Sequence, residues 1–553
     1  MFTQKKTFLF AEVKQTKPNA FLNAGKKASA ETLSGNGALK YSSSGDAFVD
    51  QFTFIGNYKK PRPTSEIFAD CEILWAESKK LAVLFIFYLR MITRVTNLFS
   101  GVSTKMSQKG AEMRHEGIMR AVWLSIKEPK IFWKNIGLFV AVGSWKDIIM
   151  MLQYDLIYNG WDNRALDWKK FGDFLMSGLK NERACELIKK YLPQIQARSK
   201  CTTVESQADT MIGKWLCSIL FPGDTKSYVK YRKLKSSGTA HQWQKLISQR
   251  KFNEIDFSSI HGRALHLLVK GKFLTNHNLK EKYEEWITKP ETKDVKYTGF
   301  VHELFESIAK YSALVNVPKA LEETINKQFI TLIEKGGKSE QSNLIVVRDT
   351  SASMGSIANG TNMSAGDIAK ALALYFSYFL KGAFKNSWIE FHSDAAIREW
   401  KGSTPMEKWF NDKSSYVGST DFQSVINLLC RIKYSGVSEE EFPTGILCIS
   451  DGEFNSTHTR STNVGAAKEK LIRAGFSKEY VNNFVIVLWN LQSYAYGRNT
   501  GKKFETFGTD VPNVFYFSGY SASVISFLTS KIRTPRELFE EAMNQEILQM
   551  IEI

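Results

Sequence analysis

The chain has 553 residues, of which 43% are hydrophobic, 13% aromatic and 24% charged, with 36 glycines and only 12 prolines. These proportions are close to those of folded globular proteins, so a mostly disordered, collagen-like or disulfide-scaffold chain is excluded, and the length suits about three to four domains or two large ones. The net charge of +18 is unevenly spread: residues 1–340 hold 53 Lys+Arg against 34 Asp+Glu, and residues 341–553 hold 21 against 22. The first part, at +19, suits a polyanion or an acidic surface; the second, at −1, does not.

Residues 1–45, rich in Lys, Ser, Asn and Gly, are expected to form an irregular arm. Residues 46–340 predict a basic all-α domain. Amphipathic segments at Ile67–Thr93, Glu112–Ile126, Ile131–Gln153, Trp168–Leu179, Ala184–Gln194, Glu205–Leu220, Phe257–Val269 and Val301–Ala313 alternate with polar breaks. Successive helix pairs without a strict period suggest a HEAT-like solenoid or ring. Gly336-Gly337 closes this region.

Residues 341–553 change character. Apolar strands at Asn343–Arg348, Ser387–Phe391, Gly445–Ile449, Phe484–Trp489 and Val514–Phe517 alternate with helices at Met363–Leu380, Phe422–Ile432 and Val464–Ala474. Further helices are expected at Ala522–Leu528 and Arg536–Met550. This is the pattern of βαβ units around a doubly wound parallel sheet, which binds ligands at the carboxyl ends of its strands.

Directly after the first of these strands stand Asp349, Ser351 and Ser353, one carboxylate and two hydroxyls alternating along one loop. All are oxygen donors, as Mg²⁺ (or Mn²⁺) demands, and too few to fill an octahedral shell. Thr420, before the helix Phe422–Ile432, and Asp451, after the strand Gly445–Ile449, supply two more from two further strand-end loops. An Asp-x-Ser-x-Ser triplet alone arises by accident in roughly one chain of this length in ten. Its place after an apolar strand, with Thr420 and Asp451 in order behind it, makes the set specific. The plain alternative is that these residues cap helix N-termini.

The basic half offers a second kind of site. No acidic residue occurs between Asp224 and Glu254, where Lys226, Lys230, Arg232, Lys233, Lys235, Lys245, Arg250 and Lys251 are interleaved with Tyr228, Tyr231 and Trp243. Cations with interleaved aromatics suit phosphate contacts and base stacking; the alternative is a solvated helix face. Arg114 and Arg120, with Lys105, Lys109 and His115 nearby, form a weaker candidate stretch for phosphate contacts. The eight histidines form no His-x-x-x-His or His-Glu-x-x-His pair, and no nucleophile–base set, Walker loop or dinucleotide fingerprint is present, so no enzyme is expected. His392 follows the strand Ser387–Phe391, either close to the metal-donor loops or as an ordinary strand-end residue, the second being the plainer reading.

The six cysteines, Cys71, Cys185, Cys201, Cys217, Cys430 and Cys448, include no Cys-x-x-Cys pair. The longest apolar run, Leu81–Leu89, is far short of the roughly 20 residues a spanning helix needs. A cytoplasmic protein with reduced thiols and no membrane partner is expected.

Residues 342–553 resemble a von Willebrand factor A domain with a complete metal-ion-dependent adhesion site, Asp349, Ser351, Ser353, Thr420 and Asp451 matching its motif. The resemblance implies a cation with an open position for a partner's carboxylate, and hence recognition rather than catalysis. In the helical half, Phe87-Tyr88-Leu89-Arg90 followed by Arg94, then Lys109-Gly110-Ala111-Glu112 and Gly143-Ser144-Trp145-Lys146-Asp147, resemble landmarks of TROVE-like proteins, including the Ro ribonucleoproteins. That resemblance implies a helical ring that binds small structured or single-stranded RNA, followed by the A domain. About fifteen residues, including Val95–Gln108, separate Arg94 from Lys109, more than the family pattern has. The function expected is a non-catalytic RNA-binding scaffold. The alternative is a metal-dependent protein-interaction or structural module, possibly of a viral particle, without RNA.

Overall fold

A computed structural model describes residues 31–33, 36–41, 43–53, 62–92, 114–238, 241–260, 262–293, 295–297, 299–335, 343–358, 361–380, 384–457, 462–491, 512–521 and 534–553. Arg94, Lys105, Lys109, His261, Gly336-Gly337, His458 and the segment Ala522–Leu528 lie outside these residues.

Helices fill the described part of residues 46–335. Two of the long segments are each split by a capping residue. Ile67–Thr93 is two helices, Thr64–Glu77 and Lys79–Ile92, because Ser78 is extended and its Oγ accepts the Leu81 amide. Ile131–Gln153 is likewise Pro129–Val142 and Trp145–Asn159. Here Ser144 and Asp147 form a reciprocal capping box, a helix-start signal that the unbroken apolar periodicity hides. Phe257–Val269 is a 3₁₀ turn at Phe257–Ser259 and then a helix from Arg263 to Lys270. The helix begun at Val301 ends at Glu306. Ser227–Ser236 and Lys319–Lys335 are further helices. Within the described residues no helix is long and apolar enough to cross a membrane, and all six cysteines are free thiols.

Two short strands near the start of the chain, β1 (Glu31–Leu33) and β2 (Leu39–Tyr41), pair as an antiparallel hairpin inside the stretch expected to be an irregular arm. The C-terminal unit is a six-stranded sheet. Its strands are β3 (Leu344–Asp349), β4 (Ser387–Phe391), β5 (Ala395–Glu399), β6 (Gly445–Ser450), β7 (Val485–Asn490) and β8 (Val514–Ser518). The order is β5-β4-β3-β6-β7-β8, parallel except for β5. The apolar strands β3 and β6 are buried along their whole length, as central parallel strands must be. The expected strands are present; β5 is an addition. As an edge strand it exposes Arg398, paired with Glu390 on its neighbour, so it lacks the apolar run that marks the others. One face of the sheet packs on the helices Phe422–Tyr434 and Asn463–Arg473. The other packs on Ala365–Ser377 and merges with the core of the helical half.

The C-terminal unit touches both ends of the helical array. At one end Trp409 stacks on Phe305 at 4.3 Å, and the Met406 amide donates to Asn326 Oδ1. At the other, Phe539 packs on Phe48 and Phe85, and Asn135 exchanges two hydrogen bonds with the Glu552 backbone. The chain is thereby closed into a circuit.

Candidate functional site

Strand order reverses between β3 and β6: β3 continues leftward to β4, and β6 rightward to β7. Loops leaving such neighbours diverge to opposite faces and open a crevice at their carboxyl ends. Asp349 is the last residue of β3, and Asp451 follows β6 directly. Their loops are joined at once: Ser450 Oγ donates to Asp349 Oδ2 at 2.5 Å, and the Ser351 amide donates to Asp349 Oδ1 at 2.8 Å. Ser351 and Ser353 hydroxyls lie 3.1 Å apart, and Ser353 also bonds the Asp451 carboxylate.

Thr420 arrives on the loop after the helix Pro405–Asn411. That loop is laced to the first one, since the Ala352 amide donates to Gly418 O and the Val417 amide to Thr350 O. Gly418 has φ +75°, and a Cβ there would strike Ser393 Oγ at 2.6 Å, so the close approach requires glycine. The Asn455 amide donates to Thr420 O at 2.8 Å, joining the Thr420 and Asp451 loops. All five expected donors therefore lie on three interlocked loops at one rim. Asp349, Ser351, Thr420 and Asp451 are buried, and Ser353 is exposed, so the rim has one side open to solvent.

Burial dominates the electrostatics of this rim. Burial, then the neighbouring Asp451 charge, raises the Asp349 carboxyl above its ordinary range; burial raises Asp451 as well. Two desolvated carboxylates side by side are costly unless one is protonated or a cation lies between them. Within the described residues no group of three or more His, Cys, Asp or Glu side chains is arranged to hold a metal ion. The set here is two carboxylates with hydroxyls, which fits a small hard cation and not a thiolate- or imidazole-seeking metal.

A tether behind the rim has no sequence signal. Arg348, the residue before Asp349, points to the opposite face of β3 and is buried over the Trp388 ring at 4.0 Å. Its guanidinium bonds Asp412 Oδ2 at 2.5 Å, and Lys370 donates to the Asp412 backbone oxygen. Burial pushes Lys370 down to about 8, while the neighbouring Arg348 and Lys370 charges hold Asp412 well below the usual carboxylate range despite its burial. Asp412 starts the loop that ends at Thr420. Tyr416, halfway along, donates to Asp367. The charge cluster thus fixes where Thr420 is delivered.

Comparison with known families matches residues 343–550 to a domain of unknown function (DUF7788). No curated protein sequence matches. Among solved structures, the chain is similar to the crystal structure of the Deinococcus radiodurans RO (RSR) protein, with 11% identity, a TM-score of 0.48, and coverage of 90% of this chain and 99% of that one.

The structure sorts the basic candidates. On the helix Ser227–Ser236 and the turn before it, Lys226, Arg232 and Lys233 are exposed, with Tyr228 48% exposed beside them. Lys230 is exposed but paired with Asp224. Lys235 is half-buried, its Nζ donating to Leu192 O, and burial lowers its pKa. Tyr231, read as a stacking residue, is instead buried, with its hydroxyl on Pro193 O. Arg120 is corrected outright: it is buried in a cluster with Asp70, Glu116 and Arg62, because the helix Arg114–Lys127 turns that face into the core. Arg114 is half-buried at the start of the same helix. Asp147 caps its helix and pairs with buried Arg90, while Lys146 is exposed. His392 does stand at the rim, next to Gly418, with its Nδ1 taken by the Ser393 amide.

Proposed function

We propose that this protein is a non-catalytic RNA-binding scaffold whose C-terminal unit works as an A domain, holding Mg²⁺ or Mn²⁺ at the sheet rim. The observation that carries the metal reading is the convergence of Asp349, Ser351, Ser353, Thr420 and Asp451 on three hydrogen-bonded loops at the sheet's switch point. Asp349 and Asp451 would hold the cation, with the three hydroxyls completing part of its shell; the cation supplies an electrophilic position for an incoming carboxylate. Beside the donors the rim carries the hydroxyls of Ser393 and Ser419, which bond each other, and the His392 imidazole, whose Nδ1 accepts the Ser393 amide.

RNA binding is supported by the +19 balance of residues 1–340 and by the exposed set Lys226, Tyr228, Arg232 and Lys233. Each phosphate contact on a single strand steepens the log–log dependence of affinity on salt by roughly 0.7. Replacing Lys226, Arg232 and Lys233 together by Gln should weaken binding of a single-stranded RNA and flatten that slope by about 2. Fluorescence anisotropy across a salt series measures both. An unchanged slope removes this helix from the interface.

A second function has its own observation. Ile357 and Val417, on loops that carry metal donors, are 64% and 48% exposed. Apolar side chains flanking a cation favour a protein partner with an acidic residue at the metal. Complexes released by EDTA and free of RNA would identify that case.

A further inference from the structure

The segment Asn36–Ala38 lies more than 400 residues in sequence from the rim loop that carries Glu453, yet it is bonded to that loop. Gly37 forms an antiparallel bridge with Asn455. The Ser456 amide donates to Asn36 O at 3.2 Å, and Asn36 Nδ2 donates to Glu453 O at 2.5 Å. Ala38 is fully buried in the core layer that contains Phe391, Phe422 and Phe454. Gly37 takes φ +81°, which lets the backbone turn over the loop at a position where an L side chain is strained.

The contacted loop, Glu453–Ser456, links two metal donors. At one end the Glu453 amide donates to Asp451 Oδ1; in its middle the Asn455 amide donates to Thr420 O. The side chain of Asn463, itself bonded by Gln423, reaches Asn455 O from within the fold. A second hold on the loop comes from residues 36–38. With the strap in place, Asp451 and Thr420 keep a fixed separation; without it, one flank of the loop is lost and the donors must be ordered when the cation binds.

We propose that residues 36–38 are a strap that preorganises the rim, so that docking of the chain's N-terminal hairpin and occupation of the metal site are thermodynamically coupled. The inference rests on the metal reading of the rim. Coupling of this kind is reciprocal: what tightens the cation also tightens the strap. It makes the N-terminal segment a control element, since anything that draws it off the loop loosens the metal.

The test uses the full chain as wild type, Ala38→Glu and Gly37→Val. The first substitution puts a charge into the buried Ala38 position; the second strains the turn without entering the core. Three readouts are taken: calorimetric titration with Mn²⁺, hydrogen exchange at the Ser456 amide, and tryptic cleavage after Lys40 with and without Mn²⁺. Expected results are Mn²⁺ affinity about tenfold lower in both variants, faster Ser456 exchange, and cleavage of the wild type slowed by Mn²⁺. Wild-type Mn²⁺ affinity in variants with fast Ser456 exchange overturns the coupling and leaves the metal site intact. Unchanged Ser456 exchange in both variants overturns the strap itself. A wild type that takes up no Mn²⁺ overturns the metal reading, and the coupling with it.

Discussion

Asp349→Asn should abolish Mn²⁺ binding while making the metal-free protein more stable. The two effects have one cause. Asp349 and Asp451 are carboxylates whose pKa values are raised in the fold, by burial in both and by the Asp451 charge in Asp349. An acid with a raised folded pKa costs stability once pH exceeds its unfolded value, and the full cost is reached above the folded value. The metal-free wild type should therefore lose stability as pH rises from the ordinary carboxylate range towards neutrality. The amide of Asn carries no charge, still accepts the Ser351 amide bond, and removes that penalty. It also removes one of the two anionic donors. Wild type at free Mn²⁺ about a hundredfold above its Kd should gain about 2.7 kcal/mol, read as a rise in melting temperature. The Asp349→Asn variant should melt higher than the wild type without metal and show no rise with it. Equal metal-induced shifts in both proteins would remove Asp349 from the metal site. No shift in either would mean that these residues cap helix ends and bind nothing.

Asp147→Ala has the largest expected effect in the helical half. Arg90 and Asp147 are both fully buried, with Arg90 Nε 2.5 Å from Asp147 Oδ2. Asp147 also accepts the Ser144 amide and hydroxyl, so it serves as cap and counter-ion together. The pair fastens the helix Lys79–Ile92 to the helix Trp145–Asn159, and Gly143 leaves no room for a side chain beside it. Removing the carboxylate leaves a guanidinium in the core and should cost about 3–5 kcal/mol, a large part of the stability of an ordinary domain. Denaturant unfolding of the single variant measures the loss. The double variant with Arg90→Met should recover part of it, because the buried guanidinium that lost its Asp147 counter-ion is then gone as well. A loss below about 1 kcal/mol in the single variant would show that the guanidinium is held without Asp147.

The contrast between these two sites shows what the sequence makes legible. The rim loops are readable because each follows a short apolar strand or opens a helix, which is where oxygen-bearing side chains gather whether they cap a helix or hold a cation. The strands themselves are readable because buried parallel strands are runs of Leu, Ile and Val, as in Leu344–Val347 and Gly445–Ile449. Strand β5 is not, since Ala-Ala-Ile-Arg-Glu is exposed over most of its length and ends in charge. Arg120 looks like a surface cation in sequence; its burial depends on Asp70, about fifty residues away, which no local pattern connects to it. Arg348 and Asp412 are hidden for the same reason, their pairing being made by the fold across 64 positions. Ser78 and Ser144 are residue types that cap helices, but the apolar period runs through both and masks the break. The strap at residues 36–38 has no signal at all: a Gly-Asn-Gly-Ala stretch reads as loop, and only the tertiary contact gives it a role.

The most direct test is what the protein carries when isolated from its native source at low salt. Its absorbance ratio at 260 and 280 nm is read before and after RNase, and any bound species is sequenced. A discrete RNase-sensitive RNA that is released by raising the salt is the expected result. Clean protein at low salt, with protein partners that leave on EDTA, would contradict RNA binding and make the basic helical half a docking surface for acidic protein.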